Sequence, residues 1–180
     1  TDKALREGDL DAVLEHAREA ADLSERLGHD REYAISRGRI ADILQDRGAI
    51  DEAMRIRREE ELPVFDRLGD VRARAATMGR IADILQARGE LDEALRIRRE
   101  EQLPVFDRLG DVRERAVTMG QIADILQARG ELDEALRIRR EEQLPVFDRL
   151  GDVRERAVTM GQIADILQAR GELDEALRIR

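Results

Sequence analysis

Two histidines, His16 and His29, and no cysteine make up the usual stock of metal-ligating and nucleophilic side chains in this chain. The two histidines lie 13 residues apart and have no Cys or His partner at metal-ligand spacing. His16 falls inside a helical pattern and His29 follows Gly28 at a turn, so both read as structural residues. Each glycine is expected at a helix cap, and none is expected to belong to a phosphate-cradling loop. The expectation is therefore no catalytic residue, no metal, no cofactor and no enzyme. What recurs instead is a ladder of polar groups. Asp42, Asp83, Asp124 and Asp165 each stand one turn before Gln45, Gln86, Gln127 and Gln168. One turn before the aspartates stand Arg39 and Arg80, then Gln121 and Gln162, so the ladder moves from mixed charge toward acidic along the chain. Such a series offers acceptors and amides to a peptide backbone or to a basic partner. A solvated polar face without a ligand accounts for the same residues.

The elements that carry this ladder follow from composition. The chain has 180 residues, 41% of them charged, with no Trp, one Tyr and three Phe. Ala, Leu, Ile and Val supply most of the apolar share, which favours helices with thin local cores over one deep core. No run alternates β-branched and aromatic residues, so strands are not expected. The net charge of −9 is a poor match to nucleic-acid phosphates. No apolar stretch approaches the roughly 20 residues that span a bilayer, and no signal-peptide pattern opens the chain. Absence of cysteine fits a reducing compartment, so cytoplasm is the expected location.

The chain repeats itself. Leu103–Gln143 returns from Leu144 to Arg180 without a change, and Leu62–Gln102 differs from it only at Ala73, Ala76 and Arg80. Pro63, Pro104 and Pro145 set a period of 41. The boundaries read as a partial unit at 1–28, units at 29–69, 70–110 and 111–151, and a truncated unit at 152–180. Each unit reads as two helices. The first follows Asp111, an N-cap paired with Glu114 in a capping box, and ends at Gly130. Asp133 and Glu134 open the second near its positive N-terminal dipole, and Gly151 ends it. Thr1–Glu7 reads as the tail of a first helix stopped by Gly8, and Arg180 falls inside a second helix. Both ends are therefore expected to expose apolar surface between repeats.

Spacing exposes an insertion. Gly8 to Gly28 is 20 positions, whereas Gly48 to Gly69 is 21, and only the longer units carry proline. The extra residue lies between Ala135 and Leu144. A kink or π-bulge is expected around Glu141 to Leu144, the alternative being a helix that stops and restarts at Pro145. The first unit should have a straight second helix. Phe65, Phe106 and Phe147 read as core, as do Met78, Met119 and Met160. The cluster Arg137, Arg139, Arg140, Glu141 and Glu142 reads as a solvated outer face.

Ile122–Ile138 reads IADILQARGELDEALRI and resembles the core of a tetratricopeptide repeat. Ile122-Ala123 stand at that family's Leu-Gly pair, Leu126 at its tyrosine-like position, Gly130 at its inter-helix glycine and Ala135 at its buried alanine. Met119 replaces the usual bulky aromatic. The long second helix ending in RLGD resembles the extended form of about forty residues found in kinesin light chains and bacterial regulators. The resemblance implies an all-α, right-handed α-solenoid of antiparallel helix pairs. It also implies that the first helices, with the Asp/Gln/Arg ladder, line a concave groove for a protein or peptide. Two other roles stay open: an array that stacks end to end on copies of itself, and the regulatory part of a larger bacterial signalling protein.

Overall fold

The computed structural model describes residues 2–179, with side chains from Leu10 onward. The described residues form helices and tight turns, with no strand among them. None of their helices is long and apolar enough to cross a membrane. They group into two compact units, 1–84 and 85–180.

In the first unit α1 (Asp2–Leu27) packs against α2 (Asp30–Asp46). A second long helix follows in three continuous segments: α3 (Ile50–Ile56), a π-helical turn at Arg57–Glu61, and α4 (Leu62–Leu68). Next comes α5 (Val71–Ala87). The second unit contains α6 (Leu91–Arg96), a π turn at Ile97–Gln102 and α7 (Leu103–Leu109), followed by α8 (Val112–Ala128). It then runs through α9 (Leu132–Arg137), a π turn at Ile138–Gln143, α10 (Leu144–Leu150), α11 (Val153–Ala169) and α12 (Leu173–Ile179).

The inserted residue is thus absorbed by a π turn, and the helix does not stop. The turn at Ile138–Gln143 begins three residues before the expected position. Leu144 closes it by donating its N–H to the Arg139 carbonyl, five residues back. Pro145 falls in the first turn of α10, where a missing N–H is best tolerated. The unit without the insertion has no such turn, and α1 is continuous α-helix. That continuity corrects one expectation. Gly8 does not stop a helix, because α1 runs from Asp2 through it; Thr1 lies outside the described residues. A glycine inside a helix costs about 1 kcal/mol against alanine, so it permits a stop without imposing one.

Helix joints are built on the RLGD sequence. Gly110 adopts φ 64°, its N–H donates to the Asp107 carbonyl at 3.2 Å, and the Asp111 N–H donates to the Phe106 carbonyl at 3.0 Å. This is a Schellman closure of α7. Asp111 then caps α8, its carboxylate accepting from the Glu114 N–H at 3.0 Å. Only half of the expected capping box forms, because the Asp111 N–H is already taken by Phe106. Behind the joints lies a thin core. Ala116, Val146 and Phe147 form one apolar cluster, and Ala34, Val64 and Phe65 form its counterpart in the first unit. Met78 and Met119 are buried and Met160 half-buried, while Leu68, Leu109 and Leu150 stay nearly half exposed at the joints.

Gly110→Ala should lower stability by about 1 kcal/mol in urea unfolding. Its left-handed backbone strains any L side chain even though nothing lies within 4 Å of the added methyl. An unchanged midpoint would mean that the joint is not formed as described.

Candidate functional site

The π turns decide which side chains of the second helices face inward. Ala135, Arg139, Gln143 and Phe147 are spaced by fours and all are buried. In a regular α-helix each step of four overshoots a full turn by about 40°, so three steps would carry Phe147 about 120° away from Ala135. Absorbing one residue removes about 100° of that drift and returns all four to one face. The same series recurs as Ala53, Arg57, Glu61 and Phe65, and as Ala94, Arg98, Gln102 and Phe106, every member buried. Arg57 is 2% exposed, and Arg98 and Arg139 are 0% exposed. The expectation that Arg139 belongs to a solvated outer face is therefore overturned. Its neighbours Arg137 and Glu141 are exposed, and Arg140 and Glu142 half-buried.

Each buried guanidinium ties its own turn to first helices. In the second unit Arg139 donates to Asp124 of α8, to Gln143 Oε1 at 2.9 Å and to Gln162 Oε1 of α11 at 2.7 Å. Arg98 likewise donates to Gln102 Oε1 at 3.0 Å and Gln121 Oε1 at 2.7 Å. In the first unit Arg57 donates to Asp42 Oδ1 of α2 at 2.5 Å and to Glu61 Oε2 at 3.0 Å. The other oxygen of Glu61 accepts from Thr77 Oγ1 of α5 at 2.9 Å. Room for these groups comes from glycine. A Cβ on Gly120 would stand 2.2 Å from Gln143 Nε2, and one on Gly38 would stand 2.7 Å from Glu61 Oε1. The Nε atoms of Arg57 and Arg139 donate to no protein acceptor.

The ladder read from the sequence thus divides into two sets. Asp42, Asp124, Gln121 and Gln162 are held by the arginines and remain partly exposed, and the two amides turn their oxygens inward. Their NH₂ groups are left as outward donors. Gln45 and Gln127 are half-buried and Gln168 exposed, and none of the three enters the clusters. Asp83 and Gln86 are half-buried, while Asp165, Arg39 and Arg80 are exposed. Arg39, Asp42 and Arg80 line one cleft of the first unit together with Arg57 and Glu61. Arg39 and Asp42 also border a second cleft with Val13, His16, Ala17 and Ile43. His16 Nδ1 is 2.6 Å from the Ala12 carbonyl, and no group of three or more His, Asp and Glu among the described residues could hold a metal ion.

Burial sets the charges of the site. It pushes the Glu61 carboxyl above its ordinary range, against the pull of Arg57 and Thr77. It lowers the Arg139 guanidinium from its ordinary value, with Asp124 acting in the opposite sense. The helix-cap aspartates Asp70 and Asp152 go the other way, lowered first by the backbone N–H each accepts. A carboxyl raised in the folded state loses its contribution to stability as pH rises through the folded value. The caps contribute above their ordinary values and lose that contribution as pH falls.

Two outcomes follow. Glu61→Gln, which installs the residue of the later repeats, removes the unfavourable ionisation. Its stability relative to the parent should therefore grow between about pH 4 and pH 7 in urea titrations, and a constant difference would refute the raised carboxyl. Gly161 shares its sequence context with Gly120 but has nothing within 4 Å of an added methyl. Gly161→Ala should raise stability by about 0.5–1 kcal/mol, whereas Gly120→Ala should lower it by about 1–3 kcal/mol through crowding of Gln143. Equal signs in the two melts would contradict the Gly120–Gln143 contact.

Solved structures resemble the chain over nearly its whole length. The crystal structure of a putative kinesin light chain from Podosopora anserina, with nearly identical TPR-like repeats, matches 99% of this chain and 87% of its own at 18% identity and TM-score 0.74. A substituted form of that protein matches 99% and 86% at 17% identity and TM-score 0.76. BtubC (BKLC) from P. vanneervenii matches 99% and 76% at 19% identity and TM-score 0.82. No protein-family model and no curated protein matches the sequence. Identities below one fifth speak for the fold alone. The chain has an all-α, tetratricopeptide-like repeat fold.

Proposed function

We propose that the chain is a protein-interaction array that holds a peptide or partner segment on the faces of its first helices. One observation carries this reading. In each unit a buried arginine immobilises polar side chains of the first helices, Asp42 through Arg57 and both Asp124 and Gln162 through Arg139. Side chains already fixed lose less rotamer freedom on binding, which is how a preorganised surface gains affinity. The outward NH₂ groups of Gln121 and Gln162 are suited to backbone carbonyls of an extended peptide, and the partly exposed carboxylates to its N–H groups. The likeness to tetratricopeptide arrays supports the same face.

The test uses residues of the ladder that the clusters do not engage. Peptides are selected from a random phage library on the immobilised chain, and their affinities are remeasured on a Gln45→Ala, Gln127→Ala, Gln168→Ala variant. Circular dichroism should stay unchanged, because these side chains make no hydrogen bond in the structure. Affinity for the selected peptides should fall by about tenfold or more. Equal affinity would remove these faces as the binding surface.

A further inference from the structure

Successive first helices are joined through a buried guanidinium, and the joint differs between the two units. In the second unit one guanidinium serves two first helices. Arg139 Nη2 donates to Asp124 of α8, while its Nη1 is shared between Gln143 Oε1 at 2.9 Å and Gln162 Oε1 of α11 at 2.7 Å. Asp124 and Gln162 are 38 positions apart in sequence, and both keep part of their surface in solvent. A chain of hydrogen bonds therefore runs from a partly exposed carboxylate to a partly exposed amide. It passes through a side chain that is 0% exposed.

In the first unit the same chain of bonds turns inward. Arg57 Nη2 donates to Asp42 at 2.5 Å and Nη1 donates to Glu61 Oε2 at 3.0 Å, but the other Glu61 oxygen accepts from Thr77 Oγ1 at 2.9 Å. Thr77 is 1% exposed, so the chain ends in the core. The position that matches Gln162 holds Arg80, an exposed cation with no acceptor to offer a guanidinium.

A guanidinium is a rigid planar fork, so its two Nη groups move together. A ligand N–H on Asp124 draws on the carboxylate, loosens its hold on Nη2 and leaves more of the cation to Nη1. The Gln162 oxygen is then held more firmly, and its NH₂ becomes a stronger donor to a ligand carbonyl. We propose that Arg139 is a positioning residue that couples two first helices. A peptide N–H on Asp124 and a peptide carbonyl on Gln162 bind cooperatively, whereas Asp42 and Arg80 of the first unit act independently. The second unit thereby favours a ligand that spans α8 and α11 over one that reaches a single helix. This rests on the face-binding reading above and adds how neighbouring helices are engaged together.

The test is a double-mutant cycle with and without the guanidinium. The phage-selected peptides are titrated by calorimetry into the parent, Asp124→Asn, Gln162→Ala and the double variant. The set is repeated in an Arg139→Met background, which fills the turn without burying a charge. With Arg139 present, the double variant should lose about threefold or more less affinity than the product of the two single losses. In the Arg139→Met background the losses should multiply to within about twofold, as should those of Asp42→Asn and Arg80→Ala in the parent. A second readout needs no ligand. The side-chain amide signals of Gln162 in a nitrogen–proton NMR spectrum should shift on Asp124→Asn in the parent and stay in place in the Arg139→Met background. Losses that multiply with Arg139 present overturn the coupling, as do an unchanged affinity in either single variant and an unmoved Gln162 signal. The face-binding reading is judged separately by the Gln45, Gln127 and Gln168 variant. Equal affinity there with an intact Gln162 shift removes the face and leaves the link between the helices.

Discussion

A guanidinium buried inside a widened helical turn is the interaction around which each 41-residue unit is arranged. Taking Arg57 or Arg139 out of water costs several kcal/mol, and attraction to a carboxylate offsets this only if the remaining donors are also met. The surroundings answer most of that demand, leaving each Nε without a protein acceptor. Asp42 or Asp124 supplies the counter-charge, and Glu61 or Gln143 reaches back from the same turn. Gly38 and Gly120 omit the Cβ that would block it. Apolar residues of similar volume would serve stability as well or better, so the cluster is better understood as fixing phase and partner. It ties the buried face of the second helix to the first helices on either side.

Legibility in the sequence followed the kind of signal. Repeat length, the paired helices, the glycine stops from Gly28 onward and the aspartate caps are local signals, each legible where it stands. The extra residue was readable too, because one unit lacks it. The inward turn of Arg57, Arg98 and Arg139 was not read, since a charged residue amid RIRREE has the profile of a solvated helix face. A signal did exist in the strict spacing of four that joins Ala135, Arg139, Gln143 and Phe147, which makes sense only once the π turn is taken as real. The reciprocal half of the capping box failed for a related reason. Whether the Asp111 N–H is available depends on how the previous helix ends, which the local sequence of α8 does not contain. Gly8 misleads because a residue that permits a turn does not force one.

Near-identity of units changes what a substitution means. In an ordinary domain a lone alanine or arginine has many explanations, whereas here each position has copies in almost the same environment. Six lining residues of one cleft, Ile35, Arg39, Glu61, Ala73, Ala76 and Arg80, depart from their copies 82 positions on, whereas Gly38, Asp42, Arg57, Phe65 and Thr77 recur. Packing accounts for part of this, since Ala73 lies with Tyr33 and Ile35 against the cluster of Ala34, Val64 and Phe65. The cleft thereby differs from the matching positions of the second unit in side-chain size and in sign of charge.

Tyr33 has a practical bearing through its position. It is the chain's one tyrosine, and there is no tryptophan. Its ring packs against the cluster of Ala34, Val64 and Phe65, in company with Ala73, and its hydroxyl donates to Glu60 at 3.4 Å. Phe65 and Ala73 also form part of the cleft wall. Fluorescence excited beyond the phenylalanine band therefore arises from a single ring that packs beside that wall. Tyrosine fluorescence of the unlabelled protein reports on the N-terminal unit and is silent about the identical repeats that follow.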